Sequence, residues 1–151
     1  MTRYEELSKA ANKAQTEREE NLFECKRFLI GLREGFVEYL QCPDDAFKFA
    51  DAINLEESNL NEAIHTMDNF FHIGFLLTIP ENLERKYPNQ TLKYGLKLKK
   101  KEEAFIVKLH NDETEFKIHK DNPEKFKEFY EYLFNEIMEI YEEEFKTFFS
   151  K

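Results

Sequence analysis

The sequence predicts an α+β fold in which helices cover one face of an antiparallel sheet. Apolar residues recur every three or four positions through the first forty residues and again after Pro123, which indicates helices. Residues 71–79 and 91–120 instead alternate apolar and polar side chains, which indicates strands. A chain of 151 residues is near the usual size of one domain, so we expect residues 1–151 to form a single domain.

The composition is that of a folded protein with a densely charged surface. Charged residues make up 35% of the chain and the net charge is -9, but 16 Phe and 7 Tyr are present, and disordered acidic chains lack such aromatics. The N-terminus has no apolar stretch typical of a signal peptide, and no apolar run approaches the roughly 20 residues of a membrane span. Cys25 and Cys42 are too few for a disulfide framework, so we expect free thiols and a cytoplasmic location.

The first element is predicted to be one long helix over residues 3–40. Thr2 and Glu5 have the spacing of a capping box, and the first proline is Pro43. At 1.5 Å per residue this helix is about 57 Å long, which exceeds the roughly 26 Å that is twice the radius of gyration of a compact domain of about 100 residues. Part of the helix must therefore project, break or pack on another chain, and this excess length predicts a homodimer.

Two glycines lie four residues apart on one face of this helix, Gly31 and Gly35. Each costs about 1 kcal/mol relative to alanine in a helix. Either the helix tolerates them, or another segment approaches closely there.

Residues 43–69 are predicted to form one or two short helices. Pro43 followed by two aspartates suits a helix N-terminus, and the apolar spacing from Ala46 to Ile53 continues it. A helix is favoured for residues 55–66, although Ala63–Met67 also fits the start of a strand. The structure of residues 55–69 is left open.

Residues 71–120 are predicted to form a three- to four-stranded antiparallel sheet. The strand at 71–79 is followed by a meander at 91–99, 104–110 and 115–120. Pairing Lys99 with Ala104 and Asn111 with Thr114 brings the alternating apolar residues of the three strands onto one face, with Ile106 on the other face, and a slip of one residue would destroy the apolar face.

The last helix is predicted to begin at Pro123, with Asp121 or Asn122 as its cap. Its core face comprises Phe126, Phe129, Tyr130, Leu133, Ile137, Ile140 and Tyr141. Further apolar residues widen that stripe: Phe134, Met138, Phe145, Phe148 and Phe149. A helix that is apolar on more than one side is expected to be buried by more than one neighbour, which also favours a homodimer.

The meander is predicted to carry a basic face. Residues 91–120 have a net charge of +3 and the rest of the chain one of -12. The predicted register places Lys108 opposite Lys117 and beside Gly95, which would leave a shallow gap. The candidate anion-binding residues are Lys93, Lys97, Lys99, Lys108, His110 and Lys117.

Two interpretations of this basic face stay open. Lysines on strands block edge pairing and aggregation, so the face could simply be solvated. Alternatively it binds an anion: a phosphate, a nucleotide, a nucleic acid or an acidic patch of a second subunit. Single-stranded nucleic acid is disfavoured, because no exposed aromatic side chain can be placed on this face from the sequence.

An acidic stripe runs along the last helix, opposite part of its aromatic face. Its members are Glu124, Glu128, Glu131, Glu139 and Glu142. Such stripes commonly face solvent. The functional interpretation is a surface that docks a basic protein.

The sequence contains no recognisable catalytic motif. Glu115 and Lys117 match the acid-x-Lys part of a metal-dependent nuclease strand, but no preceding strand offers a buried aspartate. None of the four histidines has a partner at metal-ligand spacing: His65, His72, His110 and His119. We therefore expect a non-enzymatic protein without a metal or another cofactor.

These observations predict a cytoplasmic protein-binding module of the inhibitor, immunity or adaptor type that acts through its acidic helical surface. The alternative is an anion, nucleotide or nucleic-acid binder that uses the basic face of the sheet. A metal-dependent nuclease around Glu115 and Lys117 is the weakest alternative.

Overall fold

The computed structural model describes residues 1–84, 89–110 and 112–149, with side chains as far as residue 143. The predicted α+β class is confirmed, and the antiparallel sheet has six strands rather than three or four. The helices are α1 (Arg3–Leu40), α2 (Leu60–Ala63) and α3 (Pro123–Phe149). The strands are β1 (Phe47–Ala50), β2 (His65–Met67), β3 (Phe70–Pro80), β4 (Asn89–Lys101), β5 (Ala104–Leu109) and β6 (Glu115–His119). The sheet order is β1-β3-β4-β5-β6, and β2 also pairs with β3.

Helix α1 has the predicted bounds, but only its second half packs on the sheet. The Thr2 hydroxyl accepts a hydrogen bond from the Glu5 amide at 3.1 Å, and Gln41 ends the helix in the left-handed conformation. The buried residues of α1 are Cys25, Phe28, Leu29, Leu32 and Phe36. Residues 1–21 are all exposed. Of the outcomes expected for so long a helix, the first half therefore projects beyond the sheet in this chain.

The short helix predicted after Pro43 is confined to a single 3-10 turn, Asp44–Ala46, and its predicted continuation to Ile53 is wrong. Phe47–Ala50 is strand β1, and Phe47 pairs with Leu77 of β3. The Phe47 ring stacks on Phe75 at 4.8 Å, and its carbonyl accepts a hydrogen bond from Arg33 Nε at 2.9 Å. These contacts with residues distant in sequence favour a strand over the helix that the local apolar spacing indicates.

Residues 55–69, whose structure was left open above, contain both a short helix and a strand. Helix α2 is a single turn capped by Asn59, and His65–Met67 is strand β2, which continues the edge that β1 began along β3. Residues 51–64 thus form an excursion between two pieces of one edge. The Asp51 carboxylate lies 3.0 Å from His65 Nε2 and joins the two ends of the excursion.

The meander has the predicted faces but not the predicted register. Lys101, not Lys99, pairs with Ala104, because Glu102 adopts a positive φ of 58° and closes a two-residue turn. Each pairing is shifted by two residues, so Lys108 faces Lys97 and Glu115 instead of Lys117 and Gly95. Since side chains alternate with a period of two, every residue stays on its predicted face.

Helices α1 and α3 cover the apolar face of the sheet and meet at Gly35. A Cβ atom at this position would lie 2.0 Å from the Tyr130 hydroxyl, which donates a hydrogen bond to the Leu32 carbonyl at 3.1 Å. Gly31 has no atom within 4 Å of the equivalent position. The close approach considered from the sequence therefore exists at Gly35 and not at Gly31.

Helix α3 begins as predicted, with the Asn122 side chain accepting a hydrogen bond from the Glu124 amide at 3.2 Å. Its buried residues include Phe129, Tyr130, Leu133 and Ile137. Within this chain Ile140 of the predicted core face is exposed, and so are Phe134 and Met138 of the wider stripe. The side chains of Phe145, Phe148 and Phe149 lie outside the described residues.

Candidate functional site

The acidic stripe of α3 lies on the solvent side of the helix. All five predicted members are exposed: Glu124, Glu128, Glu131, Glu139 and Glu142. They lie opposite the buried side because the residues that pack on the sheet recur with the same period of 3.6. The one described ion pair of the stripe joins Glu128 to Lys125 at 3.2 Å, and both side chains are exposed. The stripe thus presents carboxylates that are largely free to meet a partner.

Exposed apolar side chains flank the acidic stripe. Tyr39 of α1 and Phe134 and Met138 of α3 are 37%, 39% and 42% exposed, and the rings of Tyr39 and Phe134 meet edge to face at 6.4 Å. We call these three residues the apolar margin. The sequence placed Phe134 and Met138 in a buried stripe, so the margin was missed as a surface. The feature of the sequence that could have indicated this surface is the width of the apolar stripe, which is larger than one buried face requires.

Burial and neighbouring carboxylates change the pKa values of side chains on α3. Burial raises the pKa of Glu136, and the charges of Glu139 and Asp112 raise it further. Asp112 in turn accepts a hydrogen bond from the Tyr132 hydroxyl, which helps to raise the pKa of Tyr132 to about 12. Burial is the main cause of both raised pKa values, and the neighbouring carboxylates add to it.

The six candidate anion-binding residues lie together on the sheet face turned away from α1 and α3. On this basic sheet face Lys97 pairs with Lys108, and Ile106 lies between Lys99 and Lys117 in the pairing of the strands. Ile106 is buried, and its strand partners are lysines, whose long stems can cover apolar surface while their ammonium groups stay in water. The remaining two candidates on this face are Lys93 and His110.

The gap expected beside Lys108 is absent. The register shift brings His110 next to Gly95, and the His110 amide donates to the Gly95 carbonyl at 2.8 Å. A Cβ atom on Gly95 would lie 3.2 Å from the Cβ atom of His110, so the imidazole occupies the space that the missing side chain leaves.

One aromatic side chain does lie on the basic sheet face. Phe70, the first residue of β3, has the Nζ atoms of Lys97 and Lys99 4.7 Å and 4.6 Å from its ring centroid. The strand predicted from the sequence begins at Phe71, so Phe70 was not expected on this face. The alternation of β3, extended by one residue, would have placed it on this face.

A buried histidine adjoins the lysines. His72 is 5% exposed, its Nε2 atom lies 2.7 Å from the Asp68 carboxylate, and its ring lies 5.7 Å from that of His110. The hydrogen bond to His72 lowers the pKa of Asp68, and the charge of Lys97, 3.7 Å away, contributes in the same direction. Asp68 is thus held as a carboxylate at the edge of the face.

Lys100 belongs to the other side of the sheet. It forms an ion pair with Glu24 of α1, which lowers the pKa of Glu24. This lysine therefore joins the helix to the sheet, and it is unavailable to a ligand on the basic sheet face.

The structure brings few reactive groups together. Burial raises the pKa of the Cys25 thiol to about 12 and also raises that of Cys42, so neither thiol is a ready nucleophile. Within the described ranges, no group of three histidine, cysteine or carboxylate side chains is arranged to hold a metal ion. Glu115 faces Lys108, and Lys117 faces Ile106.

The comparisons leave the function to be inferred from these surfaces. The chain matches no protein-family model, no curated protein and no solved structure. In the part of the chain that the structure describes, no helix combines the length and the apolar character needed to cross a bilayer.

Proposed function

We propose that this protein is a non-enzymatic, cytoplasmic protein-binding module that docks a basic protein on α3. The observation that carries the proposal is the apolar margin of Tyr39, Phe134 and Met138 beside five exposed glutamates. An inhibitor, an immunity protein or an adaptor would use such a surface by covering a functional site of its partner.

The two parts of this surface have different roles. Aromatic and methionine side chains are enriched in interface centres, where they supply most of the binding energy. The carboxylates steer a basic partner and disfavour acidic ones. Glu124 to Glu142 extends about 27 Å along the helix at 1.5 Å per residue. That length suits one side of a standard interface of about 800 Å² per partner.

Docking on this surface requires no rearrangement of the protein. Helix α3 is held by the buried Phe129, Leu133 and Ile137, and the Tyr130 hydroxyl ties it to α1. A partner therefore meets a rigid helix, which reduces the entropy lost on association.

The proposal includes a homodimer formed through the projecting half of α1, residues 1–21. Tyr4, Leu7, Ala11 and Ala14 recur at helical spacing there, and all of them are exposed. A second copy that packs on this stripe would bury it, as the sheet does for the second half of the helix. The free, buried Cys25 and the free Cys42 support a reducing cytoplasmic environment.

Charge reversal on α3 tests the docking surface. Tagged wild type and a Glu128→Lys, Glu131→Lys, Glu139→Lys variant are used to capture proteins from a cell extract, and mass spectrometry identifies them. We expect basic proteins to be retained by the wild type and lost from the variant. The substituted side chains are exposed, so each should change stability by less than about 0.5 kcal/mol.

A matched control separates local charge from total charge. Reversing Glu56, Glu81 and Glu84, which are exposed in other segments, changes the net charge by the same amount. The control should retain the partners. Equal loss from both variants would mean that bulk charge, and not the acidic stripe, explains the binding.

A further inference from the structure

Ammonium groups are concentrated at one corner of the basic sheet face. Lys97 and Lys99 both hold their Nζ atoms within 4.7 Å of the Phe70 ring centroid, and Lys108 lies directly across the strand pair from Lys97. We infer that this cluster is a second binding site, independent of α3, for a compact anion with two or more phosphate groups. Lys97, Lys99 and Lys108 bind its oxygens.

Negative charge neutralises the cluster only in part, since Glu115 pairs with Lys108 across the strands and Asp68 lies 3.7 Å from Lys97. Strands β3, β4 and β5 contain no acidic residue, and β6 contains only Glu115. In the described part of the chain, Lys97 alone among the three lysines forms an ion pair, and its partner Asp68 also binds His72. Like charges that face each other across strands destabilise a sheet. A multiply charged anion between these lysines removes that repulsion.

Phe70 organises the site. Two ammonium groups attracted to one aromatic ring are held on the same side of the sheet and close to each other. A ligand therefore finds two of its cationic partners already in place, so less side-chain entropy is lost on binding. Phe70 is a positioning residue, since it acts through the lysines.

The surroundings favour a compact ligand over a nucleic acid. The chain outside residues 91–120 carries a net charge of -12, so a long polyanion would extend from the lysines onto a surface that repels it. Single-stranded nucleic acids also bind several aromatic platforms in succession. The described face offers one phenyl ring, that of Phe70, and two lysines already contact it.

Titration calorimetry with inorganic tripolyphosphate, in metal-free buffer at low ionic strength, tests the site. The wild type should bind it, and sodium sulfate at equal ionic strength should not compete. Each lysine that binds a phosphate oxygen contributes a charge-assisted hydrogen bond, so its removal should weaken binding about tenfold. The Lys99→Ala, Lys108→Ala variant should therefore lose about a hundredfold in affinity.

The matched control removes two lysines elsewhere. The Lys13→Ala, Lys127→Ala variant has the same charge change, on α1 and α3, and its affinity should equal that of the wild type. Phe70→Tyr keeps the ring and should retain binding, whereas Phe70→Leu should weaken it. Urea midpoints of all variants establish that they are folded.

The source of the phosphates is distinguished with ATP in the same buffer. Equal affinity for ATP and tripolyphosphate would assign the site to polyphosphate groups alone. Tighter binding of ATP that Phe70→Leu abolishes would assign it to a nucleotide. The inference is overturned if tripolyphosphate does not bind, if the control loses as much affinity as the Lys99/Lys108 variant, or if affinity for single-stranded oligonucleotides rises with length well beyond that for tripolyphosphate.

Discussion

The two helical glycines provide a matched test of the packing between α1 and α3. A Cβ atom at Gly35 would lie 2.0 Å from the Tyr130 hydroxyl and 2.9 Å from the Tyr130 Cζ atom. The Tyr130 ring has little room to withdraw, because it is buried and packs against Phe36 at 5.6 Å and Phe126 at 6.2 Å. At Gly31 the added methyl group meets nothing within 4 Å.

The expected effects of the two substitutions have opposite signs. Gly31→Ala should stabilise the protein by about 0.5–1 kcal/mol, the gain in helix propensity alone. Gly35→Ala has the same gain, but it also overpacks the core, which costs about 1–3 kcal/mol. Displacement of Tyr130 further removes its hydrogen bond to Leu32, which contributes about 0.5–1.5 kcal/mol. The net expectation is destabilisation by about 1–3 kcal/mol.

Urea unfolding at fixed protein concentration measures both free energies of unfolding. A double-mutant cycle with Tyr130→Phe identifies the cause, because removing the hydroxyl group removes the nearest contact. The double variant Gly35→Ala, Tyr130→Phe should therefore be less destabilised than the sum of its single changes. If Gly35→Ala is as stabilising as Gly31→Ala, the proposed packing of α3 on α1 is refuted.

Four further predictions follow from particular groups. The buried Tyr94 hydroxyl has no hydrogen-bond partner within the described residues, so Tyr94→Phe should stabilise the protein by about 1–3 kcal/mol in urea unfolding. Hydrogen bonds from His65 and the backbone lower the pKa of Asp51 below its usual 3.8. The ionised carboxylate therefore stabilises the fold above pH 3.8. The loss of unfolding free energy in Asp51→Asn at neutral pH should shrink as the pH falls through the lowered pKa. Since we assign no chemical role to His110, His119 or Glu115, each alanine variant should retain its biological effect, and loss of all effect in a folded His110→Ala protein would overturn the non-enzymatic proposal. Light scattering at tens of micromolar should show a dimer, and an 18.2 kDa species alone would exclude one.

The faces of the meander could be predicted from the sequence, but its register could not. Moving each pairing by two residues leaves Leu98 and Val107 on the apolar face, so the alternation contains no information that distinguishes the two registers. The difference lies in the turn, where Glu102 adopts a positive φ. The glycine or asparagine that usually indicates such a turn is absent from this position. The partners of Lys108 consequently changed, although its face did not.

Strand β1 was missed for a different reason. The apolar spacing from Ala46 to Ile53 fits a helix locally, and the strand exists because Phe47 meets Phe75 and Leu77, about thirty residues later. The same limit applies to the candidate surfaces. Helical spacing alone predicts that the glutamates of the acidic stripe share one face. The apolar margin could not be predicted in this way, because it depends on the tertiary contact between Tyr39 of α1 and Phe134 of α3.

Carboxylate footprinting of the complex with a captured basic protein tests the docking proposal most directly. Exposed carboxylates are modified chemically in the free protein and in the complex, and mass spectrometry reports the modified fraction of each residue. The proposal predicts strong protection of Glu128, Glu131 and Glu139, with Glu56 and Glu84 unchanged. Unprotected glutamates on α3, together with protection of Lys99 and Lys108 in a parallel lysine-acetylation experiment, would contradict it and would place the partner on the basic sheet face.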